Sequence, residues 1–154
     1  MTDDEAMGIA LEEARAAVEH GDVPVGAVVL GADGTLLARR HNERELLGDP
    51  TAHAEILALR DASVALGSWR LTNVTLVVTL EPCPMCAGAL VAARAGRVVF
   101  GTPDPKAGSS GSLYNLCADP RLNHEVEVIH GCRATEAAEI LSRFFADRRS
   151  SDAR

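Results

Sequence analysis

Two short stretches carry side chains that could do chemistry: His53-Ala54-Glu55 and Pro82-Cys83-Pro84-Met85-Cys86. One imidazole and two thiolates are donors that zinc prefers. Cys83 and Cys86, three positions apart at a predicted helix start, share one helical face, so two sulfurs can meet one ion. Free N–H groups and the helix dipole at that end lower a thiol's pKa. His53 also stands at a predicted helix start. Two helix N-termini are therefore expected to aim at one ion and to offset the charge of the thiolates. Three protein donors leave a fourth tetrahedral position for water, the pattern of catalytic zinc. A structural zinc would need a fourth ligand, for which His41, Cys117, His124 and Cys132 are available. Glu55 beside the ion is placed to take a proton from water and pass it on. Alone, a C-x-x-C pair is equally open to redox chemistry, but a redox pair has no use for His53-x-Glu55. On its own, Glu55 would read as a solvated helix residue.

The elements that must position these residues follow from local pattern. Thr2-x-x-Glu5 is a capping box that opens a helix. Met7, Leu11, Ala14 and Val18 share its apolar face, and Gly21 ends it. Val25 to Leu30 reads as a buried strand, Gly31 to Gly34 as a turn and Thr35 to Arg40 as the hairpin partner. His41 to Pro50 reads as a loop. A second helix begins near Thr51 and carries Ile56, Leu57 and Leu59. Thr75 to Thr79 is a β-branched strand broken by Pro82, and a helix runs from about Cys83 to Ala93. Arg97 to Gly101 is the next strand. Thr102 to Ser112, rich in Gly, Pro and Ser, is a loop. Glu125 to Ile129 is the fifth strand, and Thr135 to about Arg149 the last helix. Such alternation predicts an α/β fold, a three-layer α/β/α sandwich with a mixed five-stranded sheet.

Length and composition bound the rest. The 154 residues fit one domain, with the last few expected to be disordered, and 47% hydrophobic with 24% charged residues is ordinary for a globular protein. No apolar run spans a bilayer. The acidic start Met1-Thr2-Asp3-Asp4-Glu5 is unlike a secretory signal, so a cytoplasmic location is expected. In that compartment the four cysteines point to metal or redox chemistry before disulfides. The net charge of −7 opposes a nucleic-acid binder, although local potential at a site can differ from the sum. Only Lys106 among the 15 basic residues is Lys. Arg suits bidentate phosphate contact, and compositional bias explains the same excess.

With these motifs the chain resembles the bacterial tRNA-specific adenosine deaminases of the cytidine deaminase-like superfamily. The likeness runs from about Glu5 to Arg149. It rests on Val23-Pro24-Val25-Gly26-Ala27-Val28, Asp49 to Ile56, Val78 to Cys83, Met85 to Ala89 and Gly96 to Gly101. Gly111-Ser112-Leu113, Asn123-His124 and Phe144-Phe145 also match. An H-x-E segment followed by P-C-x-x-C is the established signature of zinc nucleobase deaminases. The resemblance implies a cytidine deaminase-like fold, one zinc on His53, Cys83 and Cys86, and Glu55 as proton shuttle. It implies conversion of adenosine to inosine at the wobble position of a tRNA anticodon stem-loop, with an arginine tRNA of anticodon ACG the expected substrate. Asn42 would hold the purine edge; without the resemblance it reads as an Asx-turn residue. Asp104, Lys106, Asn123 and His124 would grip anticodon nucleotides, though an ordinary surface loop has the same composition. Pro105 replaces the alanine of some members. Phe144 and Arg149 would stack on a base and pair with phosphate, against the simpler reading of a core Phe and solvated Arg. A homodimer is implied. Cys117 and Cys132 match no motif and read as small buried residues. Two other functions fit the same zinc: a deaminase of free guanine, cytosine or a nucleoside, and a non-catalytic zinc-binding subunit.

Overall fold

The structure, a computed structural model, describes residues 1–152. The expected disorder of the last few residues falls in part on residues 153 and 154, outside the described residues. Helix α1 (Asp3–Val18) opens at Thr2, whose hydroxyl accepts from the N–H of Glu5 as the capping box requires. Strands β1 (Gly26–Leu30) and β2 (Leu36–His41) form the expected hairpin. Two further helices follow, α2 (Arg44–Leu47) and α3 (Ala54–Leu66). Next come β3 (Thr75–Leu80), α4 (Pro84–Ala92), β4 (Arg97–Thr102), a 3-10 turn at Leu116–Ala118, β5 (Glu127–Ile129) and α5 (Ala134–Asp152).

The sheet order is β2-β1-β3-β4-β5. Strand β1 pairs antiparallel with β2 and β3, while β3-β4 and β4-β5 are parallel, so the sheet is mixed as expected. Alternate residues of the central strands serve opposite layers. Val28, Leu30, Val77 and Val99 pack beneath α1 and α5, with Met7, Leu11 and Ala137. Ala27, Val29, Leu76, Val78, Val98 and Phe100 pack beneath α3 and α4, with Ala58, Leu59, Ala87 and Leu90. Each fully buried Val or Leu contributes about 1.5–3 kcal/mol, so two such clusters hold the three layers together. Gly26 is where α1 meets the sheet: a Cβ there would lie 1.8 Å from the carbonyl oxygen of Ala10.

Three local expectations change. Val18 is 44% exposed, because the buried stripe of α1 turns through Ala14 and Ala17 and leaves Val18 off it. Helix α3 starts three residues later than Thr51, since Asp49 accepts from the N–H and hydroxyl of Thr51 and holds a turn there. The loop from His41 to Pro50 contains α2, whose cap comes from a distant residue described below. Among the described residues no helix is long and apolar enough to cross a membrane.

Candidate active site

Helices α3 and α4 start at the same end of the sheet, and each start is a candidate site residue. His53 is the N-cap of α3 and Cys83 the N-cap of α4, both with extended backbone. Pro84 takes the first helical position, where its missing N–H costs nothing. Cys83 therefore stands just outside the helix and Cys86 in its first turn. The Nδ1 of His53 lies 3.6 Å from the Sγ of Cys83 and 3.5 Å from that of Cys86. All three donor atoms fall within 4.8 Å of one another. Zinc bonds of ~2.3 Å to sulfur and ~2.0–2.1 Å to nitrogen at tetrahedral angles would separate S from N by ~3.6 Å. The donor set thus fits zinc in chemistry and in spacing. The other candidates for a fourth ligand are engaged elsewhere: His41 with His20 and Glu13, His124 with the Ala95 carbonyl, and Cys117 with Ser110. Cys132 is half-buried near the carbonyl of Asp3.

The electrostatics describe three donors crowded around too few protons. The Cys83 thiol is held down to about 4, first by hydrogen bonding with Cys86 and, against its burial, by His53. Cys86 is pushed up by sharing with Cys83 and by burial, and His53 is raised chiefly by its contact with Cys83. A divalent ion displaces such shared protons on binding. Burial pushes Glu55 up to about 6, so this carboxyl both accepts and releases protons near neutral pH. Glu55 is 4% exposed and, with His53, Cys83, Asn42 and Arg44, lines a cavity of about 180 Å³.

Two buried carboxylates hold the segments of the cavity's other walls in place. The Oε1 of Glu81 accepts from the N–H of Asp104 at 3.0 Å, and its Oε2 from the N–H of Ser110 and of Ser112 at 3.1 and 3.0 Å. The hydroxyl of Ser112 donates to Oε1 as well. Burial alone would raise this carboxyl, but these bonds outweigh it and hold Glu81 below its usual range. A Cβ at Gly108 would sit 2.4 Å from the Glu81 carboxyl carbon, so glycine is required. Asp22, fully buried, accepts from the N–H groups of Glu45 and Leu46 at 2.7 and 3.1 Å and caps α2 from another segment. The side chain of Asn42 donates to the Val23 carbonyl at 3.2 Å and accepts from the N–H of Arg44 at 3.1 Å. It makes the Asx contact and also borders the cavity. Sequence alone did not single out Glu81, Asp22 or Arg44. A charge set directly after a buried β-branched strand was the one available sign for Glu81.

The remaining predicted residues divide. Asp104 borders the cavity and an adjoining cleft of about 420 Å³, and Lys106 lines that cleft with Val23, Leu80 and Phe145. Phe145, and not Phe144, faces it. One residue along the helix, Phe144 borders a groove between α1 and α5 and lies under the Arg148 guanidinium. Arg149 is exposed on the same helix. Asn123 is exposed, and His124 ties its loop to the turn after α4; neither lines the cavity or the cleft.

The chain is similar to known proteins. A family model described as MafB19-like deaminase matches residues 1–149. The chain is 51% identical to the tRNA-specific adenosine deaminase of Bacillus subtilis, over 97% of this chain and 92% of that one. A solved structure from work on A-to-I editing by tRNA:A34 deaminases at the wobble position superposes with a TM-score of 0.86 at 45% identity. It covers 89% of this chain and 99% of that one. The guanine deaminase of Nitrosomonas europaea is more distant: TM-score 0.82 and 25% identity, over 94% and 85% of the two chains. With the zinc-type donors and Glu55 already gathered at two helix starts, a match of this extent means that the chain belongs to the deaminase family, among the bacterial tRNA-specific adenosine deaminases.

Proposed function

We propose that this protein deaminates adenosine to inosine at the wobble position of a tRNA anticodon, with an ACG-anticodon arginine tRNA as substrate. The observation that carries the reading is the three-donor group with a buried carboxyl beside it in a small open cavity. His53, Cys83 and Cys86 hold zinc. When bound there, zinc supplies the Lewis acidity that makes water a competent nucleophile at neutral pH. Glu55 takes one proton from the attacking water and delivers it to the purine ring nitrogen, then takes the second from the hydroxyl now on the purine carbon and delivers it to the departing amine. Adenosine and water become inosine and ammonia, and Glu55 ends as it began. Asn42, fixed by Val23 and the N–H of Arg44, keeps one amide hydrogen and one lone pair for the purine edge.

The cavity has room for one base and none for a duplex, so the target must be unpaired, as anticodon-loop bases are. The adjoining cleft, with Asp104, Lys106 and Phe145, suits the flanking nucleotides. Stacking on Phe145 is worth about 1–3 kcal/mol per base. Asn123, His124, Phe144 and Arg149 stay in this proposal as contacts for more distant parts of the stem-loop, since they lie outside cavity and cleft. The same reading places the protein in the cytoplasm as a homodimer. Exposed Val64 and Trp69 near the end of α3 support a covered face. Sedimentation at micromolar concentration should give a dimer, and a monomer would contradict this part.

The deciding assay incubates the zinc-loaded protein with an ACG-anticodon arginine tRNA and sequences the reverse transcript. An A-to-G change confined to the wobble position is expected, and an unchanged base would end the proposal. The structural likeness to a guanine deaminase keeps a second reading open, turnover of a free base. Faster release of ammonia from free guanine, cytosine or cytidine than from tRNA would favour it.

A further inference from the structure

A second cluster of potential ligands lies behind Asn42, formed by the end of α1, the segment after it and the end of β2. His20 and His41 approach nitrogen to nitrogen, with their Nε2 atoms 3.1 Å apart. Their ring centroids are 5.1 Å apart and the planes are tilted by 30°, so the rings meet end-on and do not stack face to face. The other nitrogen of each ring faces a carboxylate. His20 Nδ1 lies 2.7 Å from Asp22 Oδ2, and His41 Nδ1 lies 2.9 Å from Glu13 Oε1.

Both carboxylates act as acceptors for further donors. Asp22 also accepts from the N–H groups of Glu45 and Leu46 at 2.7 and 3.1 Å. Glu13 also accepts from the guanidinium of Arg39 at 2.8 Å. An ionised carboxylate only accepts hydrogen bonds, so both Nδ1 atoms must carry the hydrogen. With both Nδ1 hydrogens so placed, the two Nε2 atoms, 3.1 Å apart, meet through either a shared proton or a metal ion between them. Ligating histidines in metal sites have this arrangement, one ring nitrogen on the ion and the other donating to a carboxylate.

One further carboxylate lies near one of the two rings. Arg40 holds Oε2 of Glu43 at 3.2 Å and leaves Oε1 turned toward His41 Nε2 at 3.9 Å. That gap is too long for a hydrogen bond, and Glu43 stands beside His41 without closing on both rings. Two imidazole nitrogens ~2.0–2.1 Å from one ion stand ~2.9–3.4 Å apart, between right-angled and tetrahedral geometry. The observed 3.1 Å falls in that range. The two histidine side chains are 19% and 20% exposed, which leaves a route from solvent.

We propose that His20 Nε2 and His41 Nε2 are the protein ligands of a second site for a divalent transition ion of the zinc, nickel or copper class, with water completing its coordination. Asp22 and Glu13 orient the two rings. A bound ion ties the end of α1 to the end of β2, directly beside the residue that borders the cavity. The site shares no ligand with the His53, Cys83 and Cys86 group, so it does not depend on the proposed reaction.

The test counts zinc. Full-length protein already carrying one zinc is dialysed to equilibrium against micromolar Zn²⁺, and bound zinc per chain is measured by elemental analysis. Two equivalents are expected for the wild type. His20→Gln and His41→Gln should each keep the first equivalent and weaken the second by at least about 10-fold. Retention of the first equivalent shows that the variant is folded, because its ligands come from two separate helices. Glu13→Gln should weaken the second equivalent by about 10- to 100-fold while leaving the first intact. A single equivalent in the wild type would overturn the proposal and leave a shared proton as the bridge between the rings. A second equivalent that survives both histidine substitutions would overturn it too, because the ion would then sit elsewhere.

Discussion

The cavity has two kinds of wall. One is made by the starts of α3 and α4, where His53, Glu55, Cys83 and Cys86 stand on rigid elements anchored in the sheet. The other is made by the loop from Thr102 to Ser112 and by the segment around Asn42, each held from behind by a buried carboxylate, Glu81 or Asp22. In the proposed reaction the helix wall supplies the groups that move protons and bind the ion, and the loop wall those that meet the substrate's shape. Chemistry common to many deaminases can stay on the first while the second changes with the substrate.

The largest effects should come from the helix wall. Cys86→Ser removes a ligand, so zinc should fall from near one per chain to near zero and deamination to background; a full zinc complement in that variant would show that the helix starts do not hold the ion. Next, Glu55→Gln should keep the zinc and lower kcat by about 10²- to 10⁴-fold. Activity within a few-fold of wild type would move proton transfer to another residue. The loop wall should fail differently. Glu81→Ala leaves the N–H groups of Asp104, Ser112 and the buried Ser110 without their acceptor, at a cost of about 3 kcal/mol in urea unfolding. Its zinc should remain near one per chain while KM for tRNA rises, and a loss of zinc equal to that in Cys86→Ser would erase the distinction between the walls. Smallest is the control outside both. Thr2→Ala removes only the α1 cap, so it should cost about 1 kcal/mol and leave kcat and KM unchanged.

The same division explains what could be read in advance. His53-Ala54-Glu55 and Cys83-Pro84-Met85-Cys86 are contiguous, and helix geometry over a few residues fixes their relative directions. The Asx contact of Asn42 with Arg44 is local and could be read, but its bond to Val23 joins distant segments, and Glu81, marked only by its place after a strand, acts through partners as far along the chain as Ser112. Helix α2 is too short to show a period and exists because Asp22 caps it. Neighbouring residues of one helix can face different cavities, and only the packing of α5 against α1 and the loop selects Phe145 for the cleft and Phe144 for the groove. Strand β5 is shorter than the Glu125 to Ile129 run suggests, because its pairing with β4 begins at Glu127.

Local order in this protein was set by sequence alone: the capped first helix, the hairpin, the alternation of strands and helices, and the donor types at two helix starts. These depend on backbone preference and side-chain chemistry within a few positions. Tertiary structure alone decided that β3, β4 and β5 run parallel, that two helix starts converge to 3.5 Å between His53 and Cys86, and that His20 meets His41. Those contacts join segments distant in the chain, and their geometry follows from how whole layers pack.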